Sequence, residues 1–346
     1  MKRWLISPFN LVLAFLYVII LNPGCKSDGV KSGALPYPTT GSIRLFDDAL
    51  LEVIDTSAKI EILGSGFVWS EGPLWLKDQN ALIFSDVPVN KIYKWDSTAG
   101  ITVYLEPSGY SGPKDKAREG ANGLNLNSSG RLLICQHGDR VLAEMEAPLS
   151  QPIAKFKVLA ERYNDKKLNS PNDLCVAANG EIFFTDPPYG LPGQDEDPEK
   201  ELNFNGVYRI TLKNDLILVD AALTRPNGAA LSRDEKFLYV ANSDEKNAAW
   251  YEYSLDPFHN VVSKRLFADK TADVANLKGL PDGLKIHSSG LIFATGPGGV
   301  LVFHPDGRHL GTVMTGEATA NCAFDDNEAY LYMTAHSHLM RVRLKQ

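Results

Sequence analysis

Six polar residues, Glu71, Asn122, Asn172, Asn227, Asp282 and Asn321, open six similar segments of the chain. Four of them, Glu71, Asn172, Asn227 and Asp282, carry two carboxylates and two amide carbonyls. Brought together in space they make an all-oxygen donor set, the kind a hard divalent cation takes. Two negative charges balance Ca²⁺ and leave coordination positions for water or substrate. Ca²⁺ is therefore the first expectation. Mg²⁺ and Mn²⁺ suit the same ligands, and Zn²⁺, which prefers His and Cys, suits them less.

A single Asn-Gly or Asp-Gly pair is an ordinary turn former. What gives these six positions weight is their register with a longer repeat. Each opens a short apolar strand, then a tight turn rich in Asn, Ser, Asp and Gly, then a strongly apolar strand such as LLIC, IFFT or FLYV. That pattern is a β-hairpin. A third strand follows in most units: KIYKWD, GVYRI, WYEYSLD, GVLVFHPDG and LMRVRL. The starts are about 50 to 55 residues apart, the last about 39, room for a fourth, less regular strand in each unit. No helical period is present. The expected fold is all-β, a six-bladed β-propeller with four-stranded blades over residues 45–346. Inner strands of a propeller line its central channel, so six residues remote in sequence would ring one mouth. Residues 59–63 (KIEIL) are expected to supply the outer strand of the last blade, closing the ring and removing its free edges.

Other polar residues are candidates for contact with a substrate. Asn122 and His137 come from the second unit, and Arg118 lies just before it. His336 and His338 follow the strand LYMTA of the last unit. Asp186 and Asp244 end second strands and are expected to accept backbone N–H groups. Asn321, followed by Cys322 and set in the shortest-spaced unit, is expected to be architectural. His287 and His304 lie near outer turns and are expected at the surface. Two insertions, 107–119 and 187–206, are long for blade connections and could form walls or a lid. The acidic run 195–201 reads as a solvated loop.

The chain has 346 residues and a formal net charge of −7, which argues against a nucleic-acid partner. Met1-Lys2-Arg3 is basic, and 11–21 (LVLAFLYVIIL) is an apolar run of signal length, short for a membrane span. Cys25 directly after it resembles the lipobox of bacterial lipoproteins. Residues 1–25 are thus expected to be a signal ending in a lipidated Cys, and 26–44 a flexible tether. The expected location is the periplasm or cell envelope, membrane-bound through the lipid, and the expected state a monomer. Cys135, Cys175 and Cys322 sit in apolar runs and read as small core residues.

Several motifs carry a resemblance that spans 45–346. They include Ser70-Glu71-Gly72-Pro73 with Trp75, and Leu168-Asn169-Ser170-Pro171-Asn172-Asp173 followed by Phe184-Thr185-Asp186-Pro187-Pro188-Tyr189-Gly190. Arg225-Pro226-Asn227-Gly228, Pro281-Asp282-Gly283 and Thr295-Gly296-Pro297-Gly298-Gly299 belong with them. The chain resembles the gluconolactonase/regucalcin (senescence marker protein) and luciferin-regenerating family, and within it the bacterial gluconolactonases. The resemblance implies a hydrolase of carboxylic esters, a metal-dependent lactonase that opens a sugar lactone to the aldonic acid. By position, the family's metal ligands fall on Glu71, Asn172, Asn227 and Asp282, with Ca²⁺ the usual ion. Its catalytic acid/base falls on Asp282, which makes Asp282 the first candidate for general base and Glu71 the second. Two alternatives use the same residues. One is a hydrolase of the diisopropylfluorophosphatase type, cleaving P–F or P–O bonds. The other is a metal-stabilised binding propeller without chemistry.

Overall fold

Residues 37–113 and 118–346 are described by a computed structural model. The expected signal segment, Cys25 and the tether up to residue 36 lie outside them. The described chain contains strands and short 3₁₀ turns. The repeat becomes six antiparallel sheets, the first four with all their strands in sequence order from the inside outward. Blade 1 is Ser70–Leu76, Ala81–Asp86, Lys91–Asp96 and Gly100–Leu105. Blade 2 is Ala121–Leu126, Leu132–Gln136, Val141–Met145 and Phe156–Ala160. Blade 3 is Leu174–Val176, Ile182–Asp186, Gly206–Ile210 and Leu216–Asp220. Blade 4 is Pro226–Leu231, Phe237–Asp244, Asn247–Leu255 and Val261–Asp269. Blade 5 begins with Leu284–Ile286, Ile292–Gly296, Gly299–Phe303 and His309–Met314.

Blade 6 closes the ring. Thr319–Phe324, Tyr330–Ala335 and His338–Arg343 come from the C-terminal end, and Ile60–Ser65 from the N-terminal side pairs with the last of them. The closing strand expected at 59–63 is therefore present. Neighbouring inner strands touch in a closed cycle that returns from blade 6 to blade 1. One expectation is corrected. The expected tether, 26–44, is not all tether: Thr39–Thr40 adds a fifth strand to blade 6, and Ser42–Leu45, begun inside it, adds a fifth strand to blade 5. These strands are short and lie on sheet edges, half in water, so no apolar alternation marks them.

The second strands are apolar over most of their length because both of their faces are buried between blades. Phe183 packs toward blade 4 and Phe184 toward blade 2. Six apolar clusters result, one for each blade interface. Trp250 and Phe303 anchor the interface of blades 4 and 5, and Trp95 and Tyr332 that of blades 6 and 1. Each large side chain buried there contributes about 1.5–3 kcal/mol relative to exposure. Cys135 and Cys322 are buried in these layers and Cys175 half-buried, all unpaired.

Candidate active site and metal centre

The inner-strand starts converge because adjacent blades are latched together at that level. Ser85 of blade 1 donates to the carbonyl of Asn122 at 2.7 Å. Gly123 N–H donates to the carbonyl of Asn172 at 2.8 Å. Thr185 donates to the carbonyl of Asn227 at 2.6 Å, and Thr295 to that of Ala320 at 2.8 Å. The glycines of the repeat serve this close approach. A Cβ on Gly228 would lie 2.1 Å from the carbonyl oxygen of Asp282, and one on Gly72 (φ +52°) 2.2 Å from that of Asn122. Most of them are thus spacers between blades rather than turn formers.

At this mouth lies a cleft of about 1360 Å³. Glu71, Asn122, Asn172, Asn227 and Asp282 all line it, together with His137. Five of the six are buried as residues and Asp282 is half-buried, yet several oxygens have no protein partner. Asn122 Oδ1, Asn227 Oδ1 and Asp282 Oδ1 are buried and unpaired, and so is Asp173 Oδ2 next to Asn172. A buried polar atom without a partner costs about 1–3 kcal/mol. The two carboxyls also stand in conflict. Burial pushes Glu71 up to about 7, and the charge of Asp173 adds to it. Asp282 is pushed well above the usual range by burial, then by the charges of Glu71 and Asp173. A centre with unpaired carbonyl oxygens and crowded buried carboxyls lacks positive charge, and the residues present fit a hard divalent cation on chemical grounds. Among the described residues no group of three or more His, Cys, Asp or Glu forms a metal site. The donor set here is half amide, and it is not of zinc type.

The remaining expected residues divide. Asn321 is architectural and more: its amide donates to Glu71 Oε2 at 3.2 Å, and its Oδ1 accepts from Lys285 Nζ at 3.2 Å. Glu71 Oε2 also accepts from Gly72 N–H at 2.5 Å. His137 lies in the cleft, with Nε2 3.2 Å from Asn122 Nδ2 and 3.3 Å from Asn172 Nδ2. Arg118, expected to meet substrate, instead donates to Glu199 Oε2 at 2.6 Å and is not among the described lining residues. A carboxylate from the other long insertion takes its fork, which sequence proximity to Asn122 gave no hint of. His336 is exposed in a left-handed turn (φ 53°), its ring edge-on to Trp69 at 5.5 Å, and does not line the cleft. His338 bonds Ser65 at 2.8 Å in the closing blade.

Asp186 accepts N–H groups of Asn169 and Ser170 at 2.8 and 2.7 Å. Asp244 accepts from Thr224 at 2.6 Å and lines the outer cleft. His304 is half-exposed beside Asp306, but His287 is buried, bridging to Glu328 at 3.1 Å across blades 5 and 6. The surface expectation fails for His287 because the hairpin turn of blade 6 folds over it. Insertion 187–206 forms a wall of the cleft through Tyr189, Gln194, Asp195 and Phe204. Its acidic run is partly tied down: Asp195 pairs with Arg225, and Glu201 accepts from Lys167 N–H at 2.7 Å.

Five further residues belong to the site. Trp69 and Tyr189 line the cleft, and Ser243 and Asn227 lie beside the Tyr189 hydroxyl. Glu119 Oε2 stands 2.8 Å from His137 Nδ1. Asp173 was visible as the polar residue standing where four of the other units have Gly and the sixth has Cys322.

Residues 69–337 match the family described as SMP-30/Gluconolactonase/LRE-like region. The chain belongs to that family. A gluconolactonase of Zymomonas mobilis is 39% identical over 315 residues, 89% of this chain and 87% of that protein. Among solved structures, a gluconolactonase of Xanthomonas campestris superposes with a TM-score of 0.77 at 29% identity, covering 91% of this chain and 99% of that one. A calcium-binding regucalcin of Agrobacterium tumefaciens shares the fold, with a TM-score of 0.64 at 18% identity over 90% of this chain and 97% of that one.

Proposed function

We propose that this protein is a lactonase that opens a sugar lactone to its aldonic acid, with a divalent cation held by Glu71, Asn172, Asn227 and Asp282. The observation that carries the reading is the convergence of these four side chains, from four blades, on one cleft with the oxygens of Asn227 and Asp282 buried and unpaired. Likeness to the Zymomonas gluconolactonase over 89% of the chain supports the reaction class. A hard cation bound there supplies Lewis-acid polarisation of the lactone carbonyl. Ca²⁺ is the ion the donor set favours.

The protein's own residues do the rest. Asp282 takes the proton of the attacking water and returns it to the departing ring oxygen. A carboxylate beside a cation is a weak base, but burial and the Glu71 charge oppose that weakening. Asn122 Oδ1, buried and unpaired, accepts from a substrate hydroxyl. Trp69 and Tyr189 give the sugar ring apolar surface, and burial keeps the Tyr189 phenol protonated, a donor to the substrate.

Turnover of glucono- and xylonolactone after exhaustive chelation, then with Ca²⁺, Mg²⁺, Mn²⁺ or Zn²⁺ restored, tests the cation. Activity is expected to vanish and return; activity indifferent to chelation refutes the metal. Asp282→Asn is expected to lower kcat by about 100-fold or more while the far-ultraviolet dichroism of the sheets persists. Undiminished turnover in that variant refutes the role given to Asp282.

A further inference from the structure

We propose that Glu119 and His137 form a positioning pair that decides which way the side-chain amides of Asn122 and Asn172 face. The proposal rests on the reading of Asn172 as a metal ligand. An amide side chain has a donor end and an acceptor end of nearly equal size, and its orientation is set by its hydrogen-bond partners. Asn122 and Asn172 come from different blades, and both turn their Nδ2 toward a single atom, His137 Nε2, at 3.2 and 3.3 Å. Two N–H donors aimed at one ring nitrogen require that nitrogen to be the acceptor. The ring proton then sits on Nδ1, which donates to Glu119 Oε2 at 2.8 Å.

With Nδ2 directed to the ring, each Oδ1 is directed away from it. For Asn122 that oxygen is buried and has no protein partner. The opposite tautomer would place N–H on Nε2, draw the amide oxygens to the ring, turn the NH₂ group of Asn172 toward the cation, which it repels, and take the Asn122 acceptor away from the substrate.

The pair is itself built in. His137 is 1% exposed, and its N–H donates to the carbonyl of Gly120 at 3.1 Å. A Cβ on Gly190 would lie 2.9 Å from the His137 Cβ, so the wall insertion presses directly on this residue. Glu119 ends the other insertion, whose start is held by Asn90: its Oδ1 accepts N–H groups of Ser108, Gly109 and Tyr110 at 2.9, 2.9 and 3.1 Å. His137, expected from sequence to touch substrate, is thus placed to act through two other side chains.

The test is calorimetric titration of the chelated protein with CaCl₂, beside long-range ¹H–¹⁵N spectra of the imidazole. His137→Phe keeps the volume and removes the acceptor, and Ca²⁺ affinity is expected to fall about 10- to 100-fold. His137→Gln offers a side-chain oxygen to both amides and is expected to stay within about threefold of the parent. The metal-free melting temperatures of the two variants are expected to agree, which a merely structural role for His137 would not give. The parent spectrum is expected to show the proton on Nδ1 and a bare Nε2. Equal Ca²⁺ affinity in His137→Phe, or a protonated Nε2 in the parent, overturns the pair while leaving the metal reading intact. A parent protein that takes up no divalent cation overturns both.

Discussion

Glu71 and Asp282 line the same cleft with their carboxyl groups buried, and that arrangement has a pH signature. The Glu71 carboxyl is pushed from 4.5 to about 7 in the folded protein. The unfolded chain therefore gives up that proton at lower pH than the folded one. In the metal-free protein, stability tied to Glu71 is present below about 4.5 and is lost as pH rises toward 7, on the order of 3 kcal/mol for such a change. Asp282 moves in the same direction. A cation prefers the ionised carboxylates and cancels the loss. The difference in melting temperature between cation-saturated and chelated protein is thus expected to widen from pH 4.5 to 7 and then level off. A difference that shrinks with pH would contradict it. Glu71, Asn172, Asn227 and Asp282 could be found in the sequence because each holds the same place in a repeat. Glu119 could not, because its meeting with His137 depends on an insertion that follows no period. The pairing of Arg118 with Glu199, 81 residues away, was hidden for the same reason.

At the level of strands and their junctions, the site depends on how closely neighbouring blades approach. Gly228→Ala would set a methyl group 2.1 Å from the Asp282 carbonyl oxygen, which is backbone and cannot swing aside. A cost of about 1–3 kcal/mol is expected from such overpacking. Turnover is expected to suffer as well, because the shift moves Asp282 itself. Unfolding in urea and lactone hydrolysis on the same preparation would check both. An unchanged midpoint would show that the junction has slack. The second strands announced themselves as apolar runs because both of their faces are covered, Phe183 and Phe184 packing to opposite sides. Thr39–Thr40 and Ser42–Leu45 did not, since two- and four-residue edge strands carry too few side chains for any alternation to register. His287 was misjudged for a related reason. Its burial comes from Glu328, a turn residue of the next blade.

For the molecule as a whole, the decisive joint is the one between its two ends. Ile60–Ser65 pairs with His338–Arg343, and Ile60 and Leu63 are buried at that seam. A chain beginning at residue 46 loses only the two added edge strands and is expected to melt within a few degrees of the full chain. A chain beginning at residue 66 leaves the third strand of blade 6 without its neighbour and is expected to aggregate. Gel filtration and thermal melts of the two would decide, and a monomeric, cooperatively melting 66–346 would show that closure is dispensable. The same joint orders events during synthesis. Residues 60–65 emerge first and must wait for residues 338–343, with Ser65 and His338 273 residues apart, before their partner exists. Five blades can form behind the ribosome, but the sixth, and with it the complete ring around the cleft, assembles only once residues 338–343 have been made. Until then a nascent chain of this protein is an open arc, and the cleft it encircles lacks one side of its ring.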